Sequence, residues 1–338
     1  MESKLRIAFA YNVERKRTAE DPKDLNAEFD SPRTLLGIKE ALEKNGHQVI
    51  CIEANENFYE KLLEIRDEID IVFNIAEGFT GDSRESIYPV FCEDLNIPYT
   101  GSNPATLAIG LNKDAAKKIW LNKGISTPKF QIVNAIEDLD HFVLEFPVIV
   151  KPVHEGTSKG INNDSYVEDF EHLKQKVKFT LENYEQEALI EEFIDGREFT
   201  VGVLGNGPYT ILDPVEIDFS YLPEGIRHFC SYEVKTDFDD PDSTICPADI
   251  TEVERNELQQ TALEAYKAIG CLDFGRCDLR LKEGKAYVIE INPLPGISSD
   301  PEVNHSMPKA AKYRGLSYSE FINNILENAL KRYSIESS

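Results

Sequence analysis

The chain has 338 residues, 41% of them hydrophobic and 29% charged, with a formal net charge of −25. That length exceeds one small domain and predicts two or three lobes of a soluble globular enzyme. The charge argues against nucleic acid or an anionic membrane as partner, and it requires any bound polyanion to meet locally concentrated cations.

Six cysteines, Cys51, Cys92, Cys230, Cys246, Cys271 and Cys277, lie scattered, with no CxxC pair and no zinc spacing with histidine. They read as free, mostly buried thiols of a reducing, cytoplasmic compartment. No apolar run has the length of a membrane span. The start, MESKLRIAFAY, lacks a signal-peptide core and reads as a first strand.

In chain order, residues 5–11 form a buried-strand candidate, followed by a polar stretch, 12–30, with no assignable element. Ser31 and Pro32 open a helix as N-cap and first helical residue, Leu35, Leu36, Ile38, Ala41 and Leu42 give it an apolar face, and Gly46 stops it. Strands at 48–52 and 69–74 alternate with helices, which predicts a parallel sheet covered on both faces. In such a sheet ligands sit beyond the carboxyl ends of the strands, here after Tyr11 and at 74–78. A helix over 113–122 starts the next part. Strands at 130–133 and 148–151, a helix over 167–183, and strands at 188–193 and 198–204 follow, with Asp195-Gly196 reading as a hairpin turn. The last part has short strands near Ile211 and Val215 and a polar loop over 220–249. It also has two capping boxes, Thr251 with Glu254 and Ser317 with Glu320, opening helices. The first of these ends at Gly270, and the second buries Phe321, Ile325, Leu326 and Leu330.

Three constellations carry chemistry. In 273–300, strands at 277–281 and 286–291 flank Glu283-Gly284 and bring Arg276, Asp278, Glu290 and Asn292 together at one end. Hard oxygen ligands suit Mg²⁺, which sits between carboxylates and substrate phosphates. The turn 293–296 exposes backbone N–H groups beside that cluster. The second constellation is VIVKP at 148–152, which delivers Lys151 at a strand end, then Glu155-Gly156-Thr157-Ser158-Lys159-Gly160. Glycines let backbone N–H groups approach an anion and hydroxyls add donors. The lysine precedes the glycines, so this is not the strand–GxxxxGK[ST]–helix loop. The third is Glu191-Glu192-Phe193-Ile194 with Glu198: a strand edge and hinge for an adenine edge, and a carboxylate for ribose hydroxyls. Lys235 lies in a loop long enough to be a lid.

VIVKP…EGTSKG, EEFIDGREFTVGV and GRCDLRL…YVIEINPLPG occur in the order and spacing of the ATP-grasp enzymes. With Pro98-Tyr99-Thr100-Gly101-Ser102 and Lys113, the chain resembles their D-alanine–D-alanine ligase branch over nearly its whole length. The resemblance implies an ATP-grasp fold of α/β and α+β units: a doubly wound pre-ATP-grasp domain at 1–112, a small central domain at 113–204, and a metal-bearing domain at 205–338. It implies that Lys113 and Lys151 contact ATP phosphates. Glu155, Gly156, Thr157 and Ser158 cover the nucleotide, with Ser158 also catalytic. Glu191, Glu192, Phe193 and Ile194 line the adenine pocket, and Glu198 holds the ribose. Asp278, Glu290 and Asn292 bind two Mg²⁺, with Mn²⁺ as an alternative ion. Arg276 and the Gly296 backbone stabilise the oxyanion, Lys235 neutralises the γ-phosphate or the second substrate's carboxylate, and Glu28 and Ser298 belong to the substrate pockets. The implied partners are a small carboxylate and a small amine, with a homodimer as the expected assembly.

The departures fall in the amino-acid pockets. The family's HGxxGEDG becomes 74–85, without the histidine and with Arg84 added, and the serine that binds the second substrate's carboxylate aligns with Pro301. The leading expectation is a Mg-ATP-dependent carboxylate–amine ligase working through an acyl phosphate. The alternatives are a ligase for other amino acids or small acids, as in dipeptide or specialised-metabolite synthesis, a kinase that stops at a phosphorylated product, and a nucleotide-binding protein without turnover.

Overall fold

The computed structural model describes residues 4–15, 28–238, 240–301 and 303–335. The stretch 12–30 therefore lies in part outside the described residues. Arg6–Tyr11 is the middle strand of a three-stranded parallel sheet, between Gln48–Glu53 and Ile71–Asn74. Alternation sorts its faces: Ile7 and Phe9 join a core with the last helix, while Ala8 and Ala10 join one with Phe58, Tyr88 and Cys92. The helix Pro32–Lys44 begins where its cap predicts, with the Ser31 side chain accepting from the N–H of Thr34.

The central unit is a four-stranded antiparallel sheet in the order Phe130–Val133, Ala188–Glu192, Val148–Pro152, Tyr166–Val167. Leu173 and Val177 of the helix Phe170–Tyr184 pack on Val148, Val150 and Ile190. This helix starts three residues later than the sequence suggests. Asp169 caps it by accepting from the N–H of His172, which leaves Tyr166–Val167 free to pair as a strand.

Asp195-Gly196 is not a hairpin turn. Ala188–Glu192 stays in the small sheet, whereas Arg197–Leu204 pairs antiparallel with Phe274–Lys282 in a six-stranded sheet. Phe199, Val201 and Val203 alternate into the core beneath the helix Glu252–Ile269, and that burial draws the strand across. The strand expected to close the central unit at 204 thus belongs to the C-terminal sheet. Gly196 permits the crossover, because a β-carbon there would lie 2.3 Å from the Leu281 carbonyl oxygen. The helices Glu252–Ile269 and Tyr318–Arg332 open on complete capping boxes, as their sequences predict. Two further helices, Tyr232–Thr236 and Ser306–Tyr313, form where the sequence suggests none. Among the described residues, no helix is long and apolar enough to cross a membrane.

A buried ion pair ties the first unit to the strand that carries the site. Asp273 accepts from the Gly101 N–H at 2.8 Å, from Asn206 Nδ2 at 2.7 Å and from Arg332 Nη2 at 2.7 Å. Arg332 also donates to the carbonyls of Tyr99 and Gly101. Removing one partner leaves the other charge buried alone, so Arg332→Ala is expected to cost about 3–5 kcal/mol, measured by denaturant unfolding.

Candidate active site

Phe274–Lys282 and Lys285–Asn292 form the expected hairpin, longer at both ends, and its register sets Arg276 opposite Asn292 and Asp278 opposite Glu290. The ladder then slips by one residue between Asp278 and Leu279. The slip lets Val288 and Ile291, three apart, both enter the core, which a strict period of two forbids. The result is two carboxylates, an amide and a guanidinium at the wall of one cavity of about 400 Å³. Arg276 holds Asp278 through two bonds of 2.8 Å each, and the Leu294 N–H, donating at 3.0 Å, orients the Asn292 amide oxygen.

Burial pushes Glu290 up, but Lys113, Lys151, Lys235 and Arg276 together outweigh it and hold its carboxyl down at about 2. Asp278 is different: burial raises its carboxyl despite Arg276. It is a buried negative charge short of positive partners. The donors offered there are all oxygens, as Mg²⁺ requires. Among the described residues no three His, Cys, Asp or Glu side chains gather as a metal site; beside the two carboxylates here stands the Asn292 amide.

The cavity is lined from both large and small sheets. Lys151 and Glu191–Ile194 enter from the small one; Glu198, Arg276 and Asp278 enter from the large one. Thr157 and Ser158 roof it in consecutive left-handed conformations, φ 48° and 56°. Ser158 Oγ donates to the Cys230 carbonyl at 2.7 Å, and the Tyr232 N–H donates to the Ile161 carbonyl at 2.7 Å, so the loop and the segment bearing Lys235 touch above the cavity. Lys235 sits on the short helix Tyr232–Thr236 rather than in open loop.

Two residues the sequence reading passed over organise the end of the cavity at Glu191 and Glu198. Lys117, one turn after Lys113, is fully buried, and its Nζ lies 2.8 Å from one Glu191 oxygen while Lys151 Nζ lies 2.5 Å from the other. Glu191 is thereby occupied, and Phe193 and Ile194 line the cavity beside it. Arg280 donates to Glu198 through Nε at 3.1 Å and Nη2 at 2.9 Å, donates to the Ile194 carbonyl at 2.8 Å, and stands 4.4 Å from the Phe193 ring centroid. It shares a strand face with Arg276 and Asp278, and that alternation was its signal in the sequence. Lys113, Glu155 and Gly156 lie behind the lining, with the Lys113 ammonium donating to the Glu155 carbonyl.

A protein-family model described as the D-ala D-ala ligase C-terminus matches residues 119–327. A D-alanine–D-alanine ligase of Marinomonas is 33% identical over 304 residues, 86% of this chain and 88% of that one. An uncharacterized protein of Sinorhizobium fredii, y4sG, is 34% identical over 309 residues, 89% of this chain and 88% of that one. The crystal structure of D-alanine–D-alanine ligase from Bacillus anthracis complexed with ATP superposes with a TM-score of 0.74 at 25% identity, over 98% of this chain and 99% of that one.

The chain belongs to the D-alanine–D-alanine ligase family.

It is accordingly an ATP-dependent ligase on an ATP-grasp fold that joins a carboxylate to an amine, with ADP and phosphate as products. The family's use of ATP with Mg²⁺ agrees with the oxygen donors at 278, 290 and 292. Ser306, at the start of the helix Ser306–Tyr313, lines the cavity beside His305, whereas Pro301 does not. The sequence reading did not single it out; the His-Ser pair followed by an amphipathic helix was the available signal. His305 packs on Gly296, where a β-carbon would lie 2.3 Å from its ring, and its Nδ1 accepts from the Ser298 N–H at 2.8 Å. Burial, then Arg276 and Lys235, push it down to about 4, so it is neutral at physiological pH. Ser298 itself does not line the cavity. Its hydroxyl shares a 2.8 Å hydrogen bond with Thr34 and accepts from the Asp300 N–H.

The end of the cavity near Glu28 is crowded with acids. Burial first, then Glu28, push Glu85 up to about 8 against the opposing charges of Arg84 and Lys113. Burial and Glu14 push Asp30 up to about 7. The folded chain keeps a proton on Glu85 that the unfolded chain releases near 4.5, so the stability contribution falls as pH rises from about 4.5 to about 8. The melting temperature of the ligand-free protein is expected to drop between pH 5 and pH 8, and Glu85→Gln to flatten that drop, by calorimetry across the range.

Proposed function

We propose that this ligase activates a small carboxylic acid as an acyl phosphate and transfers the acyl group to a small amine. A carboxylate oxygen of the acid attacks the γ-phosphorus of ATP, and the bond to the β-bridging oxygen breaks to release ADP. The amine nitrogen then attacks the acyl carbon, a tetrahedral oxyanion forms, phosphate leaves and the amine loses its proton. The observation that carries this reading is the register pairing Asp278 with Glu290 and Arg276 with Asn292, on the wall of a cavity that also reaches the hinge at 192–194.

In this reading Phe193, Ile194 and the strand edge at Glu191 and Glu192 receive adenine, and Glu198, braced by Arg280, receives the ribose. Lys151, Thr157 and Ser158 hold the phosphates at the cavity wall, with the Ser158 hydroxyl at the transferred group and Lys113, Glu155 and Gly156 supporting the loop from behind. Asp278, Glu290 and Asn292 hold two Mg²⁺, or Mn²⁺ in their place; bound there, the ions offset phosphate charge and orient the phosphates for in-line attack. Arg276 and the Gly296 N–H face the developing oxyanion, and Lys235 and Ser306 receive the amine substrate's carboxylate. Glu28 borders the acid's pocket. Contacts between the loop and 230–232 exclude water that would hydrolyse the acyl phosphate. D-Alanine–D-alanine ligation is the nearest named activity. The missing histidine in 74–85 and the added Arg84 keep a ligase for other amino acids or small acids as the second reading. The units are taken as 1–112, 113–196 and 197–338, following the sheet to which Arg197–Leu204 belongs. The free thiols suit the cytoplasmic location assigned here, and a homodimer is the assembly proposed.

ADP release measured over a panel of acids and amines, D-alanine included, with mass analysis of products, tests this. The expected result is ADP release that requires both an acid and an amine, with a condensed product. ADP release without any amine, with a stable phosphorylated product, would establish a kinase instead. Glu290→Ala is expected to lower turnover by about 10³-fold or more, the scale of losing transition-state charge stabilisation, while circular dichroism and melting temperature stay near those of the parent.

A further inference from the structure

The resemblance places Glu28 in a substrate pocket, where a glutamate of the family meets the first substrate's amine, but the structure gives it other partners. Arg84 grips Glu28 with both edges of its guanidinium: Nε donates to Oε2 at 3.1 Å and Nη2 donates to Oε1. The backbone N–H of Gly156 donates to the same Oε1 at 3.2 Å. Only 7% of the Arg84 side chain and 10% of the Glu28 side chain are exposed.

Arg84 then reaches into the nucleotide loop. Its Nη1 donates to the His154 carbonyl at 3.1 Å, and its Nη2 lies 3.4 Å from Glu155 Oε2. One arginine and one glutamate of the first unit therefore hold three consecutive loop residues, His154, Glu155 and Gly156. The two residues that roof the cavity, Thr157 and Ser158, come next, in conformations that non-glycine residues adopt only when their surroundings impose them. Gly156 has no room for a side chain, since a β-carbon would lie 2.7 Å from Glu28 Oε1. A substrate ammonium approaching Glu28 would meet a carboxylate whose charge is already matched, with a guanidinium directly behind it.

We propose that Arg84 and Glu28 act as a clasp that positions the nucleotide loop, and that Glu28 does not receive the substrate's ammonium. Arg84 is a positioning residue: it touches neither substrate and works through 154–156 on Thr157 and Ser158. Selectivity for the acid then rests on other groups of the pocket. The inference takes the ligase reading as its setting, but its decisive measurement does not need turnover.

The test uses the full chain with Arg84→Gln and Glu28→Gln made separately. Binding of Mg²⁺·ADP is measured by calorimetry without acid or amine, and steady-state KM values are measured for ATP and for the acid. Both variants are expected to bind Mg²⁺·ADP about tenfold more weakly, the scale on which a misplaced binding group acts, with the KM for ATP raised alike and the KM for the acid unchanged. The exchanged pair, Arg84→Glu with Glu28→Arg, is expected to recover part of the loss. If Glu28→Gln raises the KM for the acid and leaves Mg²⁺·ADP binding alone, Glu28 is the ammonium receptor and the clasp is wrong. A lower melting temperature with nucleotide binding unmoved overturns it too, as a merely structural pair. Should Arg84→Gln fail to fold, Arg84→Lys, which keeps the charge and loses the fork, carries the same comparison. If no acid–amine pair turns over while the calorimetry behaves as expected, the ligase reading fails and the clasp stands.

Discussion

Asp278 and Glu290 face each other across one ladder of a buried hairpin, and two carboxylates so placed demand positive charge around them. The chain as a whole is strongly acidic, so that charge has to be gathered from distant parts of the sequence. Lys113 comes from a helix start, Lys151 from a strand of the small sheet, Lys235 from the short helix above the cavity and Arg276 from the hairpin itself. Together they keep Glu290 ionised while Asp278 remains under-compensated. On the proposed reading, divalent cations and phosphates, whose charges are opposite, complete the set.

The lysines are themselves constrained. Lys151 and Lys117 converge on the Glu191 carboxylate, which fixes two long side chains whose heads would otherwise prefer water. Burial alone would disfavour the charged form of Lys117, pushing it down to about 8 even with Glu191 beside it. Arg280 does related work at the hinge, joining Glu198 to the Ile194 carbonyl and covering Phe193. One end of the cavity is thus held by ion pairs within each sheet and from the helix Lys113–Asn122, and the other by Arg84, Glu28 and the neighbouring protonatable acids.

The caps and the hairpin show what is local. Ser31, Thr251 and Ser317 each bond an N–H three residues on, so their helices could be placed from a four-residue pattern. The strands at Phe130–Val133 and Val148–Pro152 were visible as short apolar runs for the same reason. Asp195-Gly196 shows the opposite: a turn-like dipeptide between two strands says nothing about whether those strands pair, and the wider core took Arg197–Leu204 into another sheet. The bulge after Asp278 was likewise hidden, because Val288, Ile289 and Ile291 allow either phase of alternation until the core selects one.

The amino-acid order by itself determined the element boundaries set by caps, the family, and which polar residues the hairpin brings together, because those side chains sit at short fixed spacings on single elements. Only the tertiary structure decided how the substrate pockets are built. Arg84 meets Glu28 and the loop at 154–156 across a long stretch of chain, Ser306 reaches the cavity at the start of a helix, and Ser298 turns away toward Thr34. Charge pairing between remote segments depends on where packing carries each backbone, and no spacing in the sequence records that distance.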